Sequence, residues 1–268
     1  MDLSQFRFDA SSRLDSFDTY FDGGGDKDEL KDQRDQEYER LHALQERLYA
    51  EREQSLLVVL QAMDAAGKDS SIEKLTGRLN AQSCKVHSFK KPTELEMSHD
   101  FLWRIHQRVP AKGEIGLFNR SHYEDVLIVK VHGWASPEVI ERRYDYIASF
   151  ESLLAERGTK VVKFMLNISP EYQLSRFRNR LENAEKHWKF NPGDLTERAH
   201  WEGYMQAFET AMQKTSTDAA PWYVVPAEHR RFRDYMIAKI LADELEAMDP
   251  QYPEPEFELA DYPPDELS

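Results

Sequence analysis

The chain has little cysteine, no long hydrophobic run and no excess of positive charge. Its one cysteine, Cys84, excludes a disulfide framework and a cysteine-rich zinc site, and it suits a reducing compartment, so we expect a cytoplasmic protein. No apolar run reaches ten residues, so no membrane-spanning helix is expected, and the acid-bearing first twenty residues show no secretory signal. What remains is 268 residues with 40% hydrophobic content, which is enough for a sizeable core.

The formal net charge of −14 is concentrated near the two ends of the sequence. Residues 15–40 balance to −6 and residues 243–268 to −10, whereas residues 41–242 balance to +2. A binding site responds to charges within a Debye length of about 8–10 Å, so the middle of the chain can still bind a polyanion. We expect residues 1–28 to be a flexible acidic segment and residues 249–268 to be an acidic, proline-containing tail.

Short apolar runs alternate with helical patterns through residues 29–248, which we expect to form one domain. The runs predicted to be strands are 55–63, 84–89, 114–118, 160–168 and 222–225. The segments with helical patterns are 29–53, 69–80, 93–107, 137–157, 171–187, 195–215 and 231–248. This alternation predicts a three-layer α/β/α sandwich around a mainly parallel, five-stranded sheet.

A candidate phosphate-binding loop, residues 61–71, follows the first predicted strand and precedes a helix. Loop amides and the helix dipole there can hold a phosphate, Gly67 allows close approach, and Lys68 supplies a positive charge. The pattern departs from the usual phosphate loop at Ala62 and Asp69, and the alternative is an ordinary turn with a surface lysine. The residues of the predicted loop are Ala65, Ala66, Gly67, Lys68, Asp69 and Ser70.

Asp64 is an unusual residue for a phosphate-binding loop, because a carboxylate repels the ligand. It is useful if it holds Mg²⁺, which prefers oxygen ligands and bridges phosphates. The alternative is that Asp64 caps the following turn. We interpret it as a metal ligand or catalytic group.

A second polar cluster follows the third predicted strand. Carboxyl ends of parallel strands face the ligand crevice, so Asn119, Arg120 and Ser121 should emerge beside the loop. Arg120 can clamp a phosphoryl group with two donors, although it could instead pair with Glu124 or Asp125. His122 is as well explained by a structural role as by a functional one.

A third basic segment lies in residues 171–189, where five Lys/Arg meet three acids. Arg176 and Arg180 share a helical face, whereas Arg178 points elsewhere. Such a segment can be a lid that closes over phosphates, although a solvated helix face is the ordinary explanation. The candidate phosphate-binding residues of this lid are Arg176, Arg178, Arg180, Lys186 and Lys189.

Taken together, these blocks resemble the polyphosphate kinase 2 family. The similarity spans about residues 30–245 and includes residues 63–69, residues 118–125, and a lid run through residues 186–189 to Asp194, Arg198, Trp201 and Tyr204. It implies a thymidylate-kinase-like P-loop fold with a helical lid at about 171–205. It also implies Mg²⁺-dependent phosphoryl transfer, with Mn²⁺ as a substitute, between inorganic polyphosphate and AMP or ADP, which yields ADP or ATP.

The resemblance also implies roles for individual residues. By position, Asp64 would hold the metal, Lys68 and the loop would bind the transferring phosphate, and the lid cations would bind polyphosphate. The residues implied for nucleotide binding are Asn119, Arg120, His122, Tyr123 and Glu124. Those implied for catalysis are Asp64, Lys68, Asn119, Arg120 and Arg180. The run from His122 to Asp125 is most similar to the branch that phosphorylates AMP as well as ADP, and the family suggests a homodimer or homotetramer.

Two other functions use part of the same pattern. An ATP-dependent nucleoside or nucleotide kinase would need the same loop, and a non-enzymatic nucleotide-binding switch would not need Asp64 and Arg120. Nucleic-acid binding is disfavoured, because no base-reading motif occurs and the acidic ends would repel a duplex. We interpret two aromatic patterns as structural, namely His99, Trp103 and His106, and Trp201, Tyr204 and Phe208.

Overall fold

The computed structural model describes residues 2–24, 27–258 and Tyr262. Six strands form one sheet in the order β1-β6-β5-β2-β4-β3. The strands are β1 (Arg7–Phe8), β2 (Ser55–Gln61), β3 (Cys84–Ser88), β4 (Ile115–Asn119), β5 (Thr159–Asn167) and β6 (Trp222–Pro226). Strands β2 to β6 pair in parallel, and β1 pairs antiparallel with β6. The expected parallel sheet is therefore confirmed, but the expected count of five strands is wrong.

Ten α-helices surround the sheet within the described residues. They are α1 (Lys27–Glu51), α2 (Lys68–Thr76), α3 (Glu94–Met97), α4 (Trp103–His106), α5 (Ile128–Val131), α6 (Pro137–Glu156), α7 (Pro170–Glu182), α8 (Pro192–Arg198), α9 (Trp201–Thr215) and α10 (Arg230–Ala247). Short 3₁₀ helices occur at Ser4–Phe6, Leu14–Ser16, His122–Asp125 and Ala184–Lys189. Two expected helices, 93–107 and 195–215, are each divided into two shorter ones. Nowhere in the described part of the chain is a helix both long enough and apolar enough to span a membrane.

The helices lie on both faces of the sheet. Neighbouring residues of a strand point to opposite faces. In β6 the indole of Trp222 donates to Thr215 Oγ1 on α9 over 3.0 Å, whereas the hydroxyl of Tyr223 donates to Glu244 Oε1 on α10 over 2.6 Å. Helices α9 and α10 therefore cover opposite faces, which gives the three-layer α/β/α arrangement.

Strand β2 lies in the middle of the parallel sheet, and all seven of its residues are buried. Its run of leucines and valines, with no alternation of polar residues, is the pattern of a strand covered on both faces. The connection after β2 leads to β3 on one side of the sheet, whereas the connection after its neighbour β5 leads to β6 on the other side, so a crevice opens where β2 and β5 end. The fold thus places residues that follow β2 and β4 at the usual ligand position of an open α/β sheet.

The N-terminal segment contributes to the fold. Phe6, Phe8 and Leu14 are buried in the core cluster, and the carboxylate of Glu209 on α9 accepts a hydrogen bond of 2.7 Å from the Leu14 amide. The sequence analysis found no strand here, because β1 has only two residues and lies in an acidic segment. Of the Gly23-Gly24-Gly25 run, Gly25 lies outside the described residues.

Candidate active site

All five parallel strands contribute residues to one cavity of about 690 Å³ at their carboxyl ends. We call it the main cavity. The loop after β2 contributes Asp64 to Ser70, β4 contributes Asn119 and Arg120, and α7 with the segment after it contributes the predicted lid cations Arg176, Arg180, Lys186 and Lys189. The structure therefore brings together the three motifs that the sequence had suggested separately.

The charge of the main cavity is opposite to that of the whole protein. Three acids line it, namely Asp64, Asp69 and Asp194. The Lys/Arg that line it are Lys68, Lys90, Lys91, Arg120, Arg176, Arg180, Lys186, Lys189, Arg230 and Arg233. Seven excess positive charges in a protein of net charge −14 mark a site for a strongly anionic ligand.

The loop that joins β2 to α2 has the backbone shape of a phosphate-binding loop. Ala65 and Gly67 adopt left-handed φ angles of 70° and 109°, and Gly67 precedes the first residue of α2. A Cβ on Gly67 would lie 2.0 Å from Nη1 of Arg233, a buried side chain that donates to Ala66 O and Ser70 Oγ, each over 3.1 Å. Glycine is thus required here both by the φ angle and by the close approach of Arg233.

Lys68 is buried beneath this loop. Its ammonium group donates to the carbonyl oxygens of Ala62 and Met63, at 2.8 and 3.4 Å. Burial lowers the pKa of Lys68, and the neighbouring charge of Asp64 partly opposes that shift. An anion bound at the loop would stabilise the protonated lysine.

Arg120 and Asp64 form an ion pair at the mouth of the crevice. Nη2 of Arg120 lies 2.9 Å from Oδ1 of Asp64, and Nη1 lies 3.5 Å from Oε2 of Glu124. Burial opposes the charge of Arg120, but Glu124 and Asp64 outweigh it, so the pKa of Arg120 lies above its ordinary value. Arg120 has a left-handed φ of 61°, a strained conformation of the kind that gathers at functional sites.

Asn119 connects the end of β4 to the phosphate-binding loop. Its side-chain amide donates to Oδ1 of Asp69 over 2.6 Å, and its backbone carbonyl accepts from Phe89. The side chain that the sequence analysis placed in nucleotide binding therefore holds an acid of α2.

His122 and Tyr123 do not face the cavity, so their assignment to nucleotide binding is corrected. Both are fully buried. Oε1 of Glu151 lies 3.2 Å from Nε2 of His122 and accepts from the Tyr123 hydroxyl over 2.8 Å, and Glu151 also pairs with buried Lys163. These hydrogen bonds lie within the core, where Nδ1 of His122 has no partner, and they anchor the 3₁₀ helix that carries Glu124 and follows Arg120.

Four of the five lid candidates line the main cavity, and Arg178 does not. Arg180 donates to Asp194 Oδ2 over 3.1 Å and to the Lys189 carbonyl over 3.0 Å, and Lys186 donates to Asn179 Oδ1 over 2.9 Å. Arg178 is exposed and lies outside the cavity lining, because it is two residues from Arg176 and therefore faces away. Burial, together with the nearby charge of Asp64, raises the pKa of Asp194.

Four cationic residues of the main cavity were missed by the sequence analysis, namely Lys90, Lys91, Arg230 and Arg233. Lys90 and Lys91 follow β3, and the two arginines follow β6, so both pairs lie at carboxyl ends of parallel strands. The carboxyl ends of parallel strands face the ligand crevice, and this rule identified Asp64 and Arg120. Applied to all five parallel strands, the same rule predicts these four cationic residues as well.

A smaller cavity of about 210 Å³ adjoins the main cavity; we call it the acceptor pocket. It shares Asp64, Arg120, Asn191 and Asp194 with the main cavity. Its other lining residues are mainly apolar or acidic, and they are Ala62, Met63, Glu124, Leu127, Ile128, Gly193, Glu197, Tyr204 and Phe208. Tyr204 and Phe208 are buried on α9, in agreement with their interpretation as packing residues.

A metal ion at this site would need ligands from its substrates. Within the described residues, no group of three or more His, Cys, Asp or Glu side chains is arranged to hold a metal. Asp64 nevertheless lines both cavities and uses one carboxylate oxygen for Arg120. This arrangement fits Mg²⁺, which commonly takes one or two carboxylates and completes its shell with phosphates and water.

Comparison with known proteins agrees with these features. The model of the family "Polyphosphate kinase 2 (PPK2)" matches residues 24–253. The chain is 49% identical over 217 residues to an AMP/ADP-polyphosphate phosphotransferase of Meiothermus ruber, with 81% of each chain covered. It is 40% identical over 232 residues to an ADP-polyphosphate phosphotransferase of Rhodopseudomonas palustris, covering 81% of this chain and 79% of the relative.

A solved structure is also similar over nearly its whole length. The crystal structure of polyphosphate kinase 2 from Arthrobacter aurescens TC1 superposes with a TM-score of 0.93 at 44% identity, covering 96% of this chain and 93% of that one.

Proposed function

The chain belongs to the polyphosphate kinase 2 family, and on that premise we propose that it transfers a phosphoryl group from inorganic polyphosphate to AMP or ADP. The observation that carries this function is the excess of seven positive charges in the main cavity. A nucleoside triphosphate bound with a divalent cation brings far fewer negative charges than a long polyphosphate, so a cavity of this charge suits the longer donor. The names of the relatives from Meiothermus ruber and Rhodopseudomonas palustris support the same reaction.

The reaction exchanges one phosphoanhydride bond for another. A phosphate oxygen of AMP or ADP attacks the terminal phosphorus of the chain, and the bond between that phosphorus and its bridging oxygen breaks. The shortened polyphosphate leaves with the bridging oxygen and its electron pair, and the nucleotide gains one phosphoryl group. This transfer requires positioning and neutralisation of charge, and it requires no covalent enzyme intermediate.

The residues at the loop suit the transferring phosphate. Amides at the start of α2 lack partners within the helix, and they point toward the cavity edge together with the positive end of its dipole. Lys68 donates to the carbonyl of Ala62 at the start of the loop, and Arg233 braces the loop by donating to the carbonyl of Ala66. We assign this part of the main cavity to the phosphoryl group in transfer.

Arg120 and Asp64 suit the acceptor side, because both line the main cavity and the acceptor pocket. We assign the acceptor pocket to the nucleoside, whose base can pack on the part-exposed Ile128 and whose hydroxyls can donate to Glu124. Arg120 then binds the nucleotide phosphate with its planar pair of donors. The ion pair with Asp64 holds Arg120 in place before the nucleotide arrives.

We assign the divalent cation to Asp64, with Mg²⁺ as the natural ion and Mn²⁺ as a substitute. When bound, the ion would neutralise charge on the bridging and terminal phosphate oxygens. Asp64 is braced for this role by Arg120, and its backbone carbonyl accepts a 3.0 Å hydrogen bond from Gln173 of α7.

Helices α7 and α8, with the 3₁₀ helix between them, suit a lid of the kind expected at about 171–205. They carry Arg176, Arg180, Lys186 and Lys189 over the loop, and Gln173 ties their base to Asp64. Closure would exclude water, which competes with AMP or ADP for the phosphoryl group. We further propose that the protein acts in the cytoplasm as a homodimer or homotetramer, as the family resemblance suggests.

One assay separates this function from an ATP-dependent kinase. Purified protein is incubated with Mg²⁺, long-chain polyphosphate and either AMP or ADP, and the nucleotides are resolved by chromatography. We expect ADP and ATP to form from polyphosphate, and no product to form when Mg²⁺ is omitted. Transfer to nucleosides or nucleotides from ATP alone, with no transfer from polyphosphate, would establish the alternative kinase.

A further inference from the structure

A third cavity of about 420 Å³ adjoins the main cavity beside the first turn of α10. We call it the arginine groove. Its lining residues are Tyr172, Arg176, Glu228, His229, Arg230 and Arg231. It shares Tyr172, Arg176 and Arg230 with the main cavity, but it shares no lining residue with the acceptor pocket. The groove therefore opens from a different part of the main cavity.

The arginine groove is a concentration of uncompensated positive charge. Among the described residues, Arg176, Arg230 and Arg231 have no carboxylate within ion-pair distance. The acid of the groove, Glu228, accepts a 2.8 Å hydrogen bond from the backbone amide of Ser169. Burial, followed by the nearby charge of Arg230, lowers the pKa of Arg176. Repulsion of this kind is relieved when an anion binds between the arginines.

We propose that the arginine groove is a secondary binding site for the distal part of a long polyphosphate chain, with Arg231 as its outermost contact. This inference rests on the proposed function and adds a route for the donor. The nucleotide occupies the acceptor pocket, the transferring phosphate lies at the loop, and the rest of the chain leaves over α10. Because Arg231 lines the groove but not the main cavity, only donors long enough to extend past Arg230 reach it.

The opposite chemistry of the two side cavities supports this direction. The acceptor pocket has four acids and several apolar residues, so it disfavours a polyanion; the acids are Asp64, Glu124, Asp194 and Glu197. The groove has three arginines and one engaged acid. A second route, over Lys90 and Lys91 after β3, would lead the chain in another direction and is tested separately.

The experiment compares long-chain polyphosphate with tetrapolyphosphate as donors for AMP or ADP, at constant ionic strength. In Arg231→Glu we expect KM for the long-chain donor to rise about fivefold, which is the size expected for one exposed charge contact, with KM for tetrapolyphosphate unchanged. Arg142→Glu is the matched control, because it makes the same charge change on an exposed residue of α6 that lines none of the three cavities. We expect it to leave both KM values unchanged.

Three results would each overturn the proposal that the arginine groove binds long polyphosphate. The first is an equal effect of Arg231→Glu on both donors, and the second is the same effect in Arg142→Glu. The third is a chain-length-dependent loss in Lys91→Glu instead of Arg231→Glu. Failure of the proposed function would look different, since the wild type would then transfer from neither donor. Calorimetric binding of both polyphosphates, without nucleotide, would still show whether Arg231→Glu selectively weakens the longer chain.

Discussion

Arg120 and Asp64 face each other from the ends of two neighbouring strands, with Nη2 and Oδ1 2.9 Å apart. Each group neutralises the charge of the other. A nucleotide phosphate would compete for the guanidinium group and a metal ion for the carboxylate, so the two ligands favour each other's binding.

The pair gives the first expectation. Asp64→Asn should lower kcat by about 100-fold or more, because the amide removes the negative charge that pairs with Arg120 and that we propose holds the metal. Steady-state kinetics over a range of Mg²⁺ concentrations would show the loss together with a higher metal requirement. Arg142→Ala, on the exposed face of α6, should retain wild-type kcat, and circular dichroism should show that both variants fold. Full activity in Asp64→Asn would remove Asp64 from the site.

The second expectation concerns Gly67. Gly67→Ala should destabilise the protein by about 2–3 kcal/mol and abolish transfer, because the new methyl group strains a φ of 109° and displaces Arg233. Gly133→Ala is a matched control: Gly133 also has a positive φ, 64°, but no atom lies within 4 Å of its added Cβ. It should cost only about 1 kcal/mol in denaturant unfolding and leave kcat unchanged. Equal effects of the two substitutions would show that the contact with Arg233 is unimportant.

The third expectation is an acid-sensitive core. Burial lowers the pKa of His122 from its ordinary value of 6.5, while hydrogen bonding and charge from Glu151 oppose the shift. As pH falls, the unfolded state therefore binds a proton on His122 before the folded state does. The contribution of neutral, buried His122 to the free energy of unfolding is complete above pH 6.5 and is lost progressively below it. The free energy of unfolding should fall with pH by at most about 1.4 kcal/mol per pH unit from this one histidine.

Unfolding in denaturant across this range would measure the effect. In His122→Gln, the part of the slope below pH 6.5 that belongs to this histidine should disappear, even if the variant is less stable at every pH. An unchanged slope would mean that His122 carries its proton in the folded protein.

The fourth expectation concerns the N-terminal segment. Phe8→Ala should destabilise the protein by about 3–4 kcal/mol, because Phe8 is fully buried and stacks on Phe17. Phe257→Ala makes the same truncation on a side chain that is 55% exposed, and it should change stability by less than about 0.5 kcal/mol. Thermal unfolding of both variants would test this, and similar values would show that the first residues are not part of the core.

The sequence predicted the parts of the fold that depend on local pattern. The apolar run of β2 and the small residues before Lys68 identified the central strand and the loop after it. It could not identify β1, since two residues in an acidic segment carry no periodicity and pair only through contact with distant β6. His122 and Tyr123 were misplaced because direction at the end of a strand depends on the turn, and the 3₁₀ helix turns both toward Glu151.

Strand β1 also limits edge-to-edge pairing between copies of this protein. Strand β6 is buried along its whole length and apolar in most of it, and without β1 its outer main-chain groups would be free to pair with a strand of another molecule. The two residues of β1 pair with Trp222 and Tyr223 at that edge, and they are too few to extend the sheet further. Removal of the residues through β1 would thus cause self-association at protein concentrations where the intact chain does not associate.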